Sequence, residues 1–347
     1  MPSTESMYQT LKKRLEEYKY PAGGKFPSEY TLAQEFGVSK VTANKIVSRL
    51  VEQGYLVRGV RGSGTRVQER LFRPCGSIAF IGKLGPFTTR ILKGFQQECL
   101  LNKYFPVLFS PETEELHYCL NILNPQNISG IVTIGYGIIR SDPGLPIVCL
   151  DYKLPHQPFE AGVCFIDSDD FSGGRQMMNE ILRRGHREIA IFSSERFSFK
   201  ASAEVPPRVK GFHAALAEAG LEHLIGRTFY GRPESLPDAR DCLMTVRKKY
   251  PETTQICTDS DPSAEMLDSV MHTLDLDLFR KIAITGFGNV SHLPIASIDQ
   301  NPERQGQLAV QQIAEFLRHP SRPFQPVVSP VEAYLVHADN IPIRMRG

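Results

Sequence analysis

The 347-residue sequence is marked first by what it lacks. No stretch approaches the ~18 consecutive apolar residues of a membrane span. The opening MPSTESMYQTLKKRLEEYKY holds no apolar run that could act as a secretory leader, so a cytoplasmic chain with no membrane partner is expected. Nine histidines form no HExxH, no cysteine pair is spaced CxxC, and no GxSxG elbow occurs. These gaps leave a zinc site or a serine-hydrolase centre unsupported, and neither metal nor cofactor is expected. The seven cysteines (75, 99, 119, 149, 164, 242, 257) are odd in number and scattered among apolar neighbours such as IVCLD and AGVCFID. Reduced, buried thiols follow. Glycines 59, 62 and 64 fit a loose GxxGxG, yet no Lys-Ser/Thr and no helix follow, which argues against a nucleotide-phosphate loop.

What is present is a globular mixture, 41% apolar and 22% charged, long enough for two or three domains. Charge divides unevenly along it. Residues 1–70 hold 12 Lys+Arg against 7 Asp+Glu, whereas residues 71–347 hold 28 against 31. A small basic module therefore precedes a slightly acidic body, and clustered cations are drawn to nucleic acid or to an anionic membrane surface.

Helical periodicity decides what the basic module is. Met7, Leu11, Leu15 and Tyr18 fall at i, i+4, i+8 and i+11, one stripe of a first helix closed by Pro21-Ala22-Gly23-Gly24. Ser28 is placed to cap a second helix, about 29–36, with Leu32, Ala33 and Phe36 inward. Gly37-Val38-Ser39 turns into a third helix, whose stripe is Ala43, Ile46, Val47, Leu50 and Val51. Two short strand-like runs, 55–58 and 65–67, flank a basic glycine-rich tip and read as a hairpin wing. A winged helix-turn-helix over residues 1–68 is expected. Lys40 and Lys45 suit phosphate or guanine, Asn44 suits an adenine edge, and the hydroxyls of Ser39 and Thr42 suit phosphates.

The run FPSEYTLAQEFGVSKVTANKIVSRLVEQGYLVRGVRGSGTRV resembles the GntR (gluconate repressor) family of winged helix-turn-helix regulators over residues 7–68. The resemblance implies that the third helix enters the major groove of double-stranded operator DNA while the wing reaches the backbone. By motif position it assigns DNA contact to Ser28, Ser39, Lys40, Thr42, Asn44 and Lys45, and to Arg61 and Gly62 in the wing. The family usually carries Arg where Tyr30 and Asn44 stand, so a different operator sequence is expected.

Residues 69–75, Glu-Arg-Leu-Phe-Arg-Pro-Cys, have no period and read as a short linker. From residue 76 to 347, apolar runs at 77–82, 106–110, 130–135, 146–151, 188–193, 254–259 and 281–288 alternate with amphipathic stretches near 88–102, 112–124, 170–184, 206–219, 237–249, 262–273 and 302–317. That alternation predicts an α/β fold with parallel sheets and a site at the carboxyl ends of the strands.

The segments SDDFSGGRQMMNEILRRGHREIAIFS, PPRVKGFHAALAEAGL, CTDSDPSAEML, ITGFGN and SIDQNPERQGQLAVQQI resemble the LacI/GalR effector domain, a periplasmic-binding-protein-like fold of two lobes around a small ligand. Its pairing with a GntR-type reader is similar to the arabinose-repressor subfamily. The resemblance implies a homodimer and a carbohydrate effector, and places Asp151, Arg208, Asp261 and Asn289 at ligand-binding positions. Phe87 and Tyr136 are candidates to stack on a sugar face, with core or rim packing as their alternative. Ser260 stands where the family often has Asn, and Gly288 where it often has Asp, so an unusual ligand or a pocket without response is implied. The carboxylates at 167, 169, 170, 259 and 261 are explained by helix capping as well as by acid-base chemistry, and no enzyme is expected. The expectation is a ligand-responsive repressor. Its alternatives are an effector-independent dimeric regulator and a sugar-processing enzyme with an accessory basic domain.

Overall fold

The computed structural model describes residues 4–17, 19–59, 63–68, 75–123, 128–136, 145–150, 163–193, 205–231, 235–273, 282–319, 324 and 330–344. It divides into two compact units, Met1–Cys75 and Gly76–Gly347. Residues 69–74 of the expected linker lie outside the described residues.

In the first unit, α1 (Thr4–Glu16), α2 (Glu29–Phe36) and α3 (Lys40–Glu52) precede an antiparallel pair, β1 (Leu56–Arg58) and β2 (Thr65–Val67). Leu11, Leu15, Leu32, Ile46, Val47, Leu50, Leu56 and Val67 are buried together, as the helical stripes require. Ser28 and Ser39 cap α2 and α3, accepting from the amides of Thr31 and Thr42. Gly37 ends α2 at φ 64°, a left-handed turn that sets the angle into α3. One pairing was not expected. The segment read as a helix breaker also lies along β2, with Gly23 N donating to Val67 O at 3.1 Å and Phe26 N to Thr65 O at 2.8 Å.

The second unit has two lobes. In the first, β3 (Gly76–Gly82), β4 (Tyr104–Phe109), β5 (Gly130–Ile134), β6 (Ile147–Leu150) and β7 (Val163–Ile166) form a parallel sheet of order β4-β3-β5-β6-β7. It is flanked by α4 (Pro86–Leu101) and α5 (Leu116–Ile122). In the second, α6 (Asp170–Arg183), β8 (Ile189–Ser193), α7 (Pro207–Glu218), β9 (Thr228–Tyr230), α8 (Leu236–Lys249), β10 (Gln255–Thr258), α9 (Asp261–Thr273) and β11 (Ala283–Thr285) build a parallel sheet of order β11-β10-β8-β9. A ribbon of β12 (Ser297–Asp299) and β13 (Tyr334–Val336) packs with the second lobe, and α10 (Pro302–Arg318) returns to the first. Strands β5, β6 and β8 are buried along their whole length, which explains their unbroken apolar runs.

Each lobe is bolted by one helix pair whose backbones nearly touch. A Cβ on Gly94 of α4 would fall 1.9 Å from the Glu303 carbonyl oxygen, and one on Gly306 of α10 2.1 Å from that of Ile91. The second lobe repeats the device, with Gly174 of α6 against Arg208 O and Gly211 of α7 against Phe171 O. The chain crosses between lobes at 167–169, at 300–301 and beside Val331. These passages are tied together: Val331 N donates to Asp167 O, Asp169 N donates to Val331 O, and Gln300 Nε2 donates to Ser168 Oγ, each at 2.8 Å.

Candidate nucleic-acid interface and ligand cleft

The polar face of α3 is built by subtraction. Its apolar positions are buried in the first core, so Lys40, Asn44 and Lys45 emerge exposed, and their side chains make no hydrogen bond or ion pair among the described residues. The nearby cations are engaged. Arg49 Nη1 donates to Glu5 Oε2 at 2.7 Å and its guanidinium lies 3.8 Å from the Tyr8 ring centroid. That contact holds the Glu5 carboxyl below its usual range. Arg58 Nη2 donates to Ser48 Oγ at 2.7 Å. Ser28 and Ser39 serve as caps, and the hydroxyls of Ser39 and Thr42 lie 2.9 Å apart. Capping leaves both at the amino end of α3, where amides and dipole favour a phosphate. Tyr30 is 63% exposed, its hydroxyl accepting from Gln34 Nε2 at 3.2 Å. Arg61 and Gly62 of the wing lie outside the described residues.

Pattern reasoning passed over Val41. It is apolar and sits in the first turn of α3, yet it is 80% exposed beside Lys40 and Thr42. A branched aliphatic side chain held out from a recognition helix suits a thymine methyl. The signal was available in the sequence, since Val41 falls off the buried stripe of Ala43, Ile46 and Val47.

The cleft residues behave differently. Arg208 is buried: Nε donates to Asp170 Oδ2 and Nη1 to Asp259 O, each at 2.8 Å, and its guanidinium lies 4.4 Å from the Phe287 ring centroid. Asp170 Oδ1 accepts from Ser168 Oγ at 2.6 Å and from Gln300 Nε2 at 2.9 Å. Ser193 Oγ donates to Asp259 Oδ2 at 2.7 Å. Asp261 is fully buried. Its Oδ1 accepts from Ser297 Oγ at 2.7 Å, and its Oδ2 accepts from the amides of Val290 at 2.6 Å and Ser291 at 3.0 Å. The capping reading of the carboxylates is thus divided. Asp169 does cap α6 through Ser172 N, but Asp170 holds Arg208, and at α9 it is Ser260 Oγ that accepts from Ser263 N while Asp261 faces the loop after β11.

Asn289, in that loop, has φ 51° and donates through Nδ2 to Asp299 Oδ2 at 2.7 Å. Phe87 is partly buried against the first lobe's core. Tyr136 packs on the opposite face of the same sheet, its hydroxyl donating to Pro111 O. Asp151 lies outside the described residues. Among the described residues no group of three or more His, Cys, Asp or Glu could hold a metal ion, and no helix is long and apolar enough to cross a membrane. Arg90, Asp299 and Gln300 were not singled out by sequence, because each acts through partners far along the chain or on a crossover without a pattern of its own.

Residues 3–67 match the family described as bacterial regulatory proteins, gntR family, and residues 178–336 match the periplasmic binding protein-like domain. The arabinose metabolism transcriptional repressor of Halalkalibacterium halodurans is 24% identical over 317 residues, covering 83% of this chain and 80% of that protein. The ribose operon repressor of Escherichia coli is 21% identical over 250 residues, 68% of this chain and 73% of its own length. Among solved structures, a complex of the transcriptional regulator CelR with cellobiose superposes with a TM-score of 0.60 at 19% identity, covering 90% of this chain and 98% of the other. A ribose-bound LacI family regulator from Enterococcus faecium gives 0.58 at 16% identity, with 75% and 96% covered.

Proposed function

This chain joins a GntR-type helix-turn-helix domain to a periplasmic-binding-protein-like domain, and from that premise we propose that it is a cytoplasmic, ligand-responsive transcriptional repressor. It acts as a homodimer on operator DNA and is controlled by a carbohydrate or carbohydrate derivative in the cleft between its lobes. The relatives quoted above are named as transcriptional repressors, not as enzymes. The observation that carries the reading is the exposed Lys40, Val41, Asn44, Lys45 face of α3, whose side chains make no hydrogen bond or ion pair among the described residues, on a chain whose other unit is two lobes.

The mechanism is a coupling of equilibria. A ligand that prefers one lobe arrangement shifts the population towards it, and in a dimer that shift alters the spacing of two winged helices on two half-sites. An exposed apolar rim on the first lobe supports self-association: Leu101 (76% exposed) ends α4, Phe105 (53%) and Leu108 (41%) lie on the outer strand β4, and Tyr118 (71%) follows on α5.

A second reading is favoured by one observation. Asp261 already holds three internal donors, and Gly288 offers no side chain, so few ligand partners remain at this edge of the cleft. An effector-independent dimeric regulator would share that appearance. A thermal-shift screen against pentoses, hexoses, uronic acids, disaccharides and their phosphates separates the two, because a ligand that binds only the folded state raises the melting temperature. One clear shift, accompanied by altered operator affinity, supports the sensor. A flat panel supports the effector-independent reading.

A further inference from the structure

Two hydrogen-bond routes join the lobes at Arg90, in the second turn of α4. The guanidinium holds Glu303 of α10 through Nε at 3.1 Å and Nη2 at 2.8 Å, which fixes it within the first lobe. The same Nη2 donates to Asp299 Oδ2 at 2.9 Å, and that oxygen also accepts from Asn289 Nδ2 of the second lobe at 2.7 Å. The second route is direct and longer, Arg90 Nη1 to Asn289 O at 3.4 Å. The other end of that same peptide is held from within the second lobe, Val290 N–H donating to Asp261 Oδ2 at 2.6 Å. One peptide unit, 289–290, is thus gripped at its oxygen by the first lobe and at its nitrogen by α9.

Two features give these contacts weight. Asp299 is 2% exposed, and a carboxylate so buried requires a cation, which Arg90 supplies. Burial depresses the basicity of the guanidinium, but its hydrogen bonds to Glu303 and Asp299 outweigh that and hold the group above its ordinary value. Asn289 sits in the left-handed region, which asparagine tolerates better than most residues when its side chain is bonded locally. By contrast, the Arg208–Asp170 pair lies inside the second lobe and does not lengthen when the lobes separate.

We propose that Arg90 is a positioning residue that latches the two lobes, linking the loop of Asn289 and Asp261 to the α4–α10 pair so that a change at the cleft moves the first lobe. The latch is read from contacts alone, while its regulatory use rests on the ligand-sensor reading above. A rotation between lobes about an axis that does not pass through this contact changes the Arg90–Asn289 separation, since each end is fixed to its own lobe.

The test is hydrogen exchange on the full-length protein without added ligand, comparing the wild type with Arg90→Gln and Arg90→Lys. Loss of the latch should speed exchange roughly tenfold at the amides of Val290 and Asn301, the latter being bonded to Asp299 Oδ1 at 2.7 Å, with β3 and β8 unchanged. Lysine keeps a charge near Asp299 but cannot hold Glu303 with two nitrogens, so it should restore Asn301 more than Val290. Unchanged rates at both amides in Arg90→Gln would overturn the latch. Faster exchange throughout α4, α10 and β3 would overturn it too, by showing a packing role only. The regulatory half is tested with arabinose, ribose and cellobiose as probes. A probe that stabilises the wild type should bind Arg90→Gln with roughly tenfold altered affinity, and unaltered affinity overturns that half. If no probe stabilises the wild type, the sensor reading fails while the exchange rates still decide the latch.

Discussion

The exposed face of α3 and the buried charge cluster of the second lobe hold similar residue types in opposite states. Among the described residues Lys40, Asn44 and Lys45 are exposed and make no internal bond or ion pair, whereas Arg208, Asp170, Asp259 and Asp261 are buried and hold several partners each. The difference follows from geometry. A recognition helix must present donors to a partner that arrives from outside, and water satisfies them until it does. Charges inside a lobe have no water to solvate them, so each has to be compensated from within.

Arg208→Ala breaks this contrast most severely. It leaves Asp170 buried without its cation, so a loss of about 3–5 kcal/mol in unfolding free energy is expected, readable by urea titration. If Arg208→Ala keeps full stability and loses only ligand response, the buried side of the comparison is wrong and Arg208 serves the ligand first.

On the opposite surface, Asn44→Ala should lower discrimination at one operator position by about 1–3 kcal/mol while the melting temperature stays at the wild-type value. Val41→Ser should act similarly at a neighbouring thymine, with uracil substitution at that base mimicking the mutation. Binding-site selection measures both. A preference that survives both substitutions would place sequence reading elsewhere, with Tyr30 the next residue to test.

Acid sharpens the comparison on the buried side. His186 is 1% exposed, with Nε2 2.9 Å from Pro342 O and Nδ1 3.1 Å from Thr254 Oγ1, and burial lowers its pKa below the ordinary histidine value. The folded state therefore holds a neutral ring that donates to Pro342 and accepts from Thr254. As pH falls through ~6.5 the unfolded chain gains a proton that the native site refuses, so stability declines until the lower folded-state value is passed. A urea midpoint that drops between pH ~7.5 and ~5.5, with a shallower slope in His186→Gln, is the expected outcome.

Much of this was legible before any coordinates. Six of the seven helices expected in the second unit are present within about two residues, because stripes such as Met177, Met178, Ile181 and Leu182 repeat at the helical period, while the stretch near 112–124 is shorter, a 3-10 turn at Thr113–Glu115 followed by α5. Strands long enough to form a β-rich apolar run, such as β3 and β5, were equally plain. Strands β9, β12 and β13 were not, since three residues carry no period and TFY, SID and YLV owe their conformation to neighbouring chain. The site divides along the same line. The α3 face is local, so its residues could be selected by leaving out the buried stripe. The lobe junction joins positions as distant as Arg90 and Asp299, and which carboxylate caps a helix and which holds an arginine depends on partners that sequence spacing does not place.

The smallest effect is the most discriminating for the exposed surface. Lys45 has no partner among the described residues, so Lys45→Ala should leave thermal stability unchanged, weaken binding on operator and random duplex alike, and reduce the slope of log affinity against log salt by about 1. Fluorescence anisotropy over a salt series measures this. A uniform loss identifies Lys45 as a phosphate contact, whereas a loss confined to one base position identifies it as a guanine reader. Either result keeps the α3 face as the DNA surface, and an unchanged affinity on both duplexes would remove Lys45 from it. Because no fold energy is at stake at this position, the measurement reports on the DNA alone, which no substitution at the hinge can do.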